Sequence, residues 1–271
     1  MLISDEKTIL SQMQGKQLEM LHELDRVCKK NNLEYVLSSG TCLGAVRHGG
    51  FIPWDDDIDV YMSWSDAKYF VQSYKTDSQF PSTHYRLCDS STSCFLEETR
   101  GLDVNHGIFI DIYIYYPYPD NKLKAQKIIF DSFIYRVLVA GKGPQNHGKA
   151  AKILGGVVSS LYKGEKRSKK VQKIENEYKN NGGKHYVATY FGRDVTLTKA
   201  ILYPVEWFNE PCYLKFEDME APCPGNPQKY CEIQYGSTYM ELPPENKRHP
   251  HHDFVYFSVD EPYTRFKGKY Y

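Results

Sequence analysis

Apolar side chains at Ile9, Leu10, Met13, Leu21, Leu24, Val27 and Cys28 recur at helical spacing and predict an amphipathic helix over 7–30, ending near Asn31-Asn32. Glu34–Ser38, centred on Tyr35-Val36-Leu37, reads as a strand; Ser39-Gly40-Thr41 breaks it, and a short helix over Cys42–Arg47 leads to a turn at His48-Gly49-Gly50. Asp57–Met62 reads as a second strand, with Ile58 and Val60 facing a core, and a helix follows over about 65–74. The run 108–114 is apolar except for Asp111 and reads as a strand that Tyr116-Pro117-Tyr118-Pro119-Asp120 ends. Helices are expected over 122–140, 149–162 and 166–180. A strand near 185–191, hairpin strands within 211–222 and a helix near 227–235 complete the pattern.

The stretch Phe51-Ile52-Pro53-Trp54-Asp55-Asp56-Asp57-Ile58-Asp59-Val60-Tyr61 carries four carboxylates in five positions, a costly arrangement unless a cation joins them. Period-two alternation puts Asp57 and Asp59 on one strand face, roughly 6–7 Å apart at Cα. That suits convergence on a hard divalent cation. Asp55, Asp57 and Asp59 also fall at positions 1, 3 and 5 of an EF-hand, but Val60 stands where a glycine is needed and Asp66 where a glutamate is needed. Ser39-Gly40-Thr41, between a strand and a helix, is either an ordinary turn or a phosphate-binding helix start. Asp111 is either a buried structural carboxylate or a third ligand beside Asp57 and Asp59. An Asp-x-Asp pair also occurs in metal-dependent glycosyltransferases, but these place a nucleotide-binding α/β unit before it, and here only a helix, a strand and a turn precede Asp57.

The 271 residues carry no net charge, so no global field argues for nucleic acid. The opening residues read as folded chain, not a secretory leader, and no run reaches the length of a membrane span. Seven scattered cysteines without a C-x-x-C pair favour reduced thiols in a cytoplasm. Nine lysines and arginines against Glu165 alone make 142–173 strongly basic around apolar Ile153–Leu161. That segment is either a solvated helical face or a peripheral contact with the inner membrane face. The local cluster Arg248, His249, His251 and His252 lacks the further ligands a zinc site needs.

The whole run Ser39-Gly40-Thr41-Cys42-Leu43-Gly44-Ala45-Val46-Arg47-His48-Gly49-Gly50-Phe51-Ile52-Pro53-Trp54-Asp55-Asp56-Asp57-Ile58-Asp59-Val60 closely resembles the signature of the LicD family, which includes bacterial phosphocholine transferases and the eukaryotic fukutin-related proteins. Gly107–Ile112 with Pro117 and Asp120, and Tyr235–Arg248 followed by His251-His252, resemble two further blocks of that family. Cys42 stands where leucine is common, Ser237-Thr238 where Gly-Asp is common, and Tyr113-Ile114-Tyr115 lengthens the connection to Pro117.

The resemblance implies an α+β fold with a nucleotidyltransferase-type core, a small mixed sheet flanked by helices. It would form one catalytic domain over 1–271, with core motifs at 34–120, a helical insertion at about 122–180 and a substrate-binding part at about 185–260. It further implies a Mg²⁺ or Mn²⁺ site at Asp57, Asp59 and Asp111, with transfer of phosphocholine from CDP-choline to a sugar hydroxyl of a cell-surface glycan such as lipopolysaccharide or teichoic acid, the acceptor lipid-linked or free. Ser39, Gly40, Thr41, Arg47, His48, Asp55, Asp56, Arg248 and His252 are then candidate substrate contacts. Trp54, Tyr113, Tyr115, Tyr235 and Tyr239 are candidate aromatic walls for a quaternary ammonium. Another CDP-linked alcohol phosphate (ribitol or glycerol phosphate), a metal-dependent glycosyltransferase, or a binding module that has lost catalysis are the competing readings.

Overall fold

A computed structural model describes residues 2–77, 84–89, 92–95, 108–140, 148–179, 182–188 and 200–250. The described chain gathers into two compact units. The first is built from helix α1 (Leu2–Lys30), strand β1 (Val36–Leu37), helix α2 (Ser39–His48), strand β2 (Ile58–Ser63), helix α3 (Trp64–Asp77), strand β3 (His84–Asp89) and the start of strand β5 (Phe109–Tyr118). Helix α7 (Glu206–Asn209), strands β8 (Cys212–Phe216) and β9 (Met219–Cys223) and helix α8 (Pro227–Tyr235) return to it. The mixed sheet runs in the order β1-β2-β5-β3-β4, with β4 (Thr92–Phe95) at its edge. β1 pairs antiparallel to β2, Val36 opposite Tyr61, whereas β3 pairs parallel to β5, Arg86 opposite Asp111.

Helix α1 forms because Leu10, Met13, Gln17, Met20, Leu21, Leu24, Val27 and Cys28 make one buried stripe. It stops where Asn32 turns left-handed (φ 52°) and Leu33 N–H donates back to the Cys28 carbonyl. Strand β2 is buried from Ile58 to Met62, so it reads as a nearly continuous core strand. Helix α2 takes in Ser39-Gly40-Thr41 as its first turn, three residues earlier than the apolar pattern suggested, and ends on Gly49 at φ 67°. Helix α8 covers 227–235 as expected: Asn226 accepts from Lys229 N–H, and Pro227 supplies a preset φ at its start.

The second unit contains the rest of β5, helices α4 (Lys122–Ala140), α5 (Gly148–Leu161) and α6 (Glu165–Lys179), and the short strands β6 (His185–Ala188) and β7 (Tyr203–Pro204). The three helices match the segments read from sequence to within a residue or so. Strand β5 does not end before Tyr116: Tyr115–Tyr118 pair antiparallel with β6, Pro117 opposite Tyr186. A proline near a strand end, where few ladder donors follow, interrupts little of the ladder. Strands β3, β4 and β7 and helix α7 have no counterpart in the sequence reading.

Candidate active site

Asp59 lies on β2 and Asp111 on β5, both buried. Side chains alternate along each strand, so Asp59 shares a face with Tyr61, and Asp111 shares one with Tyr113. The rings of Tyr61 and Tyr113 meet edge to face at 6.2 Å, which puts both carboxylates on the same side of the sheet. Burial pushes the Asp59 carboxyl well above the ordinary carboxylate range, and the neighbouring charges of Asp57, Asp111 and Asp55 push it further. A hydrogen bond from the Ser39 side chain acts weakly in the opposite direction. Asp59 Oδ1 is buried without a hydrogen-bond partner. Such an orphaned oxygen among like charges fits a divalent cation with all-oxygen ligands.

Asp57 sits one residue ahead of β2 and is partly exposed, while Asp55 and Asp56 are buried. Among the described residues, the three carboxylates whose oxygens approach to within 4.8 Å of one another are Asp55, Asp56 and Asp57. Asp55 and Asp56 therefore share space with Asp57. The sequence expects Asp57, Asp59 and Asp111 together; among the described residues the close carboxylate group is instead Asp55, Asp56 and Asp57, while Asp59 feels Asp57, Asp111 and Asp55 as neighbouring charges.

The acidic loop is held from behind. Gln14 donates to the Asp55 carbonyl at 2.8 Å, and Gln17 to the Asp56 carbonyl at 2.7 Å. Neither was singled out in the sequence, although Gln17 interrupts the heptad-like stripe Leu10, Met13, Gln17, Met20, Leu24. A polar residue at a core position is a readable signal of a buried hydrogen bond. Glu217 was also missed. It lies in the β8–β9 turn at φ 55° and accepts from Phe51 N–H at 2.9 Å, while its own N–H donates to the Gly49 carbonyl.

Thr41 Oγ1 accepts from Asp59 N–H at 2.8 Å and Ser38 N–H donates to the Asp59 carbonyl, tying the start of α2 to β2. Ser39, at φ 46°, donates its N–H to the Tyr230 hydroxyl. Tyr230 and Phe208 in turn flank Tyr61 at 6.3 and 6.1 Å. Gly40 leaves room for Asp55: a Cβ there would lie 2.7 Å from Asp55 Oδ2.

The other predicted contacts divide. Arg47 donates to the carbonyls of Tyr239 and Glu241, so its guanidinium fixes the chain after α8 rather than standing open as an anion clamp. Trp54 meets the His48 ring edge-on at 6.3 Å and carries the Arg248 guanidinium 5.6 Å from its centroid. A cation of the chain itself already faces that ring. Arg248 also donates to the Pro243 carbonyl. Tyr115 is buried against Tyr186 at 4.7 Å, in the second unit, and is a packing residue. Tyr113 is half-buried, its hydroxyl 3.4 Å from Asp111 Oδ2. Tyr235 is exposed and Tyr239 half-buried. His249 Nδ1 lies 3.0 Å from the Pro250 carbonyl, while His251 and His252 lie outside the described residues.

Residues 32–135 match the family model LicD/FKTN/FKRP, nucleotidyltransferase domain. The chain is 27% identical over 268 residues to the lipopolysaccharide cholinephosphotransferase LicD of Haemophilus influenzae, covering 91% of this chain and 97% of that protein. Two uncharacterised Rickettsia proteins are similar over a shorter stretch. That of R. typhi is 39% identical over 69 residues, 26% of this chain and 21% of its own length; that of R. prowazekii is 39% identical over 74 residues, 26% and 28%.

Proposed function

We propose that this chain belongs to the LicD family and is a cation-dependent phosphotransferase that moves phosphocholine from CDP-choline to a sugar hydroxyl of a cell-surface glycan, lipopolysaccharide or a teichoic acid. Its mixed sheet and surrounding helices would then be a nucleotidyltransferase-type core. One observation inside the molecule carries this reading: the buried Asp59 carboxylate, with Oδ1 unpartnered, beside Asp57, Asp111 and Asp55. Asp57, Asp59 and Asp111 would hold Mg²⁺ or Mn²⁺. A cation bound there supplies positive charge against the donor diphosphate as the phosphorus–oxygen bond to CMP breaks.

The chain's own residues take the remaining roles. Gly40 and Thr41, in the first turn of α2, carry N–H groups that no intrahelical carbonyl takes and that suit the donor's phosphates. Asp111 orients the acceptor hydroxyl and accepts its proton as the hydroxyl oxygen attacks phosphorus. Tyr113 steadies Asp111 through its hydroxyl and offers its ring to the choline head group. Buried, reduced thiols such as Cys28, Cys42, Cys223 and Cys231 suit a cytoplasmic setting.

The test is release of CMP from CDP-choline with a lipopolysaccharide acceptor that lacks phosphocholine, in Mg²⁺ or Mn²⁺. Asp59→Asn is expected to lower the rate by more than about a hundredfold. Release from CDP-ribitol or CDP-glycerol, with none from CDP-choline, would move the donor to another alcohol phosphate. No release from any of the three would sink the enzymatic reading.

A further inference from the structure

Helix α5 packs against α4 in the second unit, yet among its described residues it buries only Gly155 and Val158. Ile153, Leu154, Val157 and Leu161 point outward, exposed by 69, 40, 49 and 65%. Ile153, Val157 and Leu161 are spaced four apart and form one stripe, with Leu154 beside it. An apolar stripe of this kind on a helix surface marks a contact with something apolar.

The charge that follows it along the chain says what that is. After Gly164 turns the chain at φ 51°, Lys166, Lys169 and Lys173 are exposed on α6, and Lys163 is exposed just before the turn. The acidic group in this stretch, Glu165, is already paired with Lys169 at 2.6 Å. The chain as a whole is neutral, so this positive charge is a local concentration. A second copy docked on the same stripe would bring two such basic segments together, at a repulsive cost. An anionic lipid surface instead complements both the stripe and the cations. Among the described residues no helix is long and apolar enough to cross a membrane, so the contact is peripheral.

We infer that α5 lies in the headgroup region of an anionic bilayer, with Ile153, Val157 and Leu161 inserted and Lys163, Lys166 and Lys173 at the phosphates. Flotation of the full chain with phosphatidylcholine vesicles, with and without phosphatidylglycerol, tests this and needs neither donor nor acceptor. Its failure therefore leaves the transferase reading standing. Binding is expected only with phosphatidylglycerol and to weaken with salt. Ile153→Ser with Leu161→Ser should weaken it more than about tenfold, and Lys163→Glu or Lys166→Glu by at least about fivefold each. All four positions are exposed, so circular dichroism should be unchanged. No flotation at low salt, equal flotation of the variants, or a dimer in sedimentation that the Ile153/Leu161 variant dissolves would each overturn the inference.

Discussion

Gln17 on α1 donates from Nε2 to the main-chain carbonyl of Asp56 at 2.7 Å, and one helical turn earlier Gln14 does the same for Asp55. Two side chains of one helix thus set the backbone of the acidic loop. A loop carrying three adjacent carboxylates repels itself, and carbonyl anchors at two successive residues resist its opening.

Gln17 is 1% exposed, so Gln17→Met keeps the volume and removes the donor. The Asp56 carbonyl then loses its partner in a buried place, at about 1–2 kcal/mol. The urea midpoint should fall accordingly, and CMP release should fall with it even where the variant is folded. An unchanged midpoint would show that the contact carries no stability.

Two glycines of the signature should respond differently to alanine. At Gly40 the added methyl meets the end of a side chain, Asp55 Oδ2 at 2.7 Å, and alanine favours the helix by up to about 1 kcal/mol. Gly40→Ala should therefore melt no lower than the parent, yet lose about tenfold in activity as Asp55 moves. At Gly44 the methyl meets the Gly50 carbonyl oxygen at 2.4 Å, a backbone atom that cannot step aside. Gly44→Ala should lose about 2–4 kcal/mol in denaturant unfolding. Equal behaviour of the two variants would contradict this account.

Much of this site is legible in the sequence, for local reasons. Asp59 and Asp111 sit in strands whose apolar runs are unmistakable, and the family resemblance adds the link between residues more than fifty positions apart. What was not legible depends on contacts from distant elements. Glu217 reads as an ordinary turn residue until the β8–β9 turn is seen against Gly49 and Phe51. Arg47 reads as a substrate contact until the Tyr239 and Glu241 carbonyls are seen to engage it. Trp54 and Tyr115 read as open aromatic walls because sequence does not reveal what covers a ring; Arg248 faces one and Tyr186 the other.

Glu217 latches the signature loop by accepting from Phe51 N–H, although it is exposed. Glu217→Ala should free that amide, raising its hydrogen-exchange rate about tenfold, for a loss of about 1 kcal/mol. Glu217→Gln keeps an acceptor oxygen and should exchange near the parent rate. If both variants exchange alike, the carboxylate is not the latch.

His48 gives a pH-dependent readout. Partial desolvation holds its imidazole below the ordinary histidine value although the residue is exposed, and the adjacent Arg47 charge lowers it further. The folded state therefore binds this proton less readily than the unfolded chain. The neutral ring contributes stability that is present above the unfolded value of about 6.5 and declines as pH falls toward the folded value. The His48 ring resonances should titrate with a midpoint below 6.5, and Arg47→Gln should bring it partway back up. Recovery should be incomplete, because desolvation is the larger cause. A parent midpoint at or above 6.5, or no movement in Arg47→Gln, would refute the assignment.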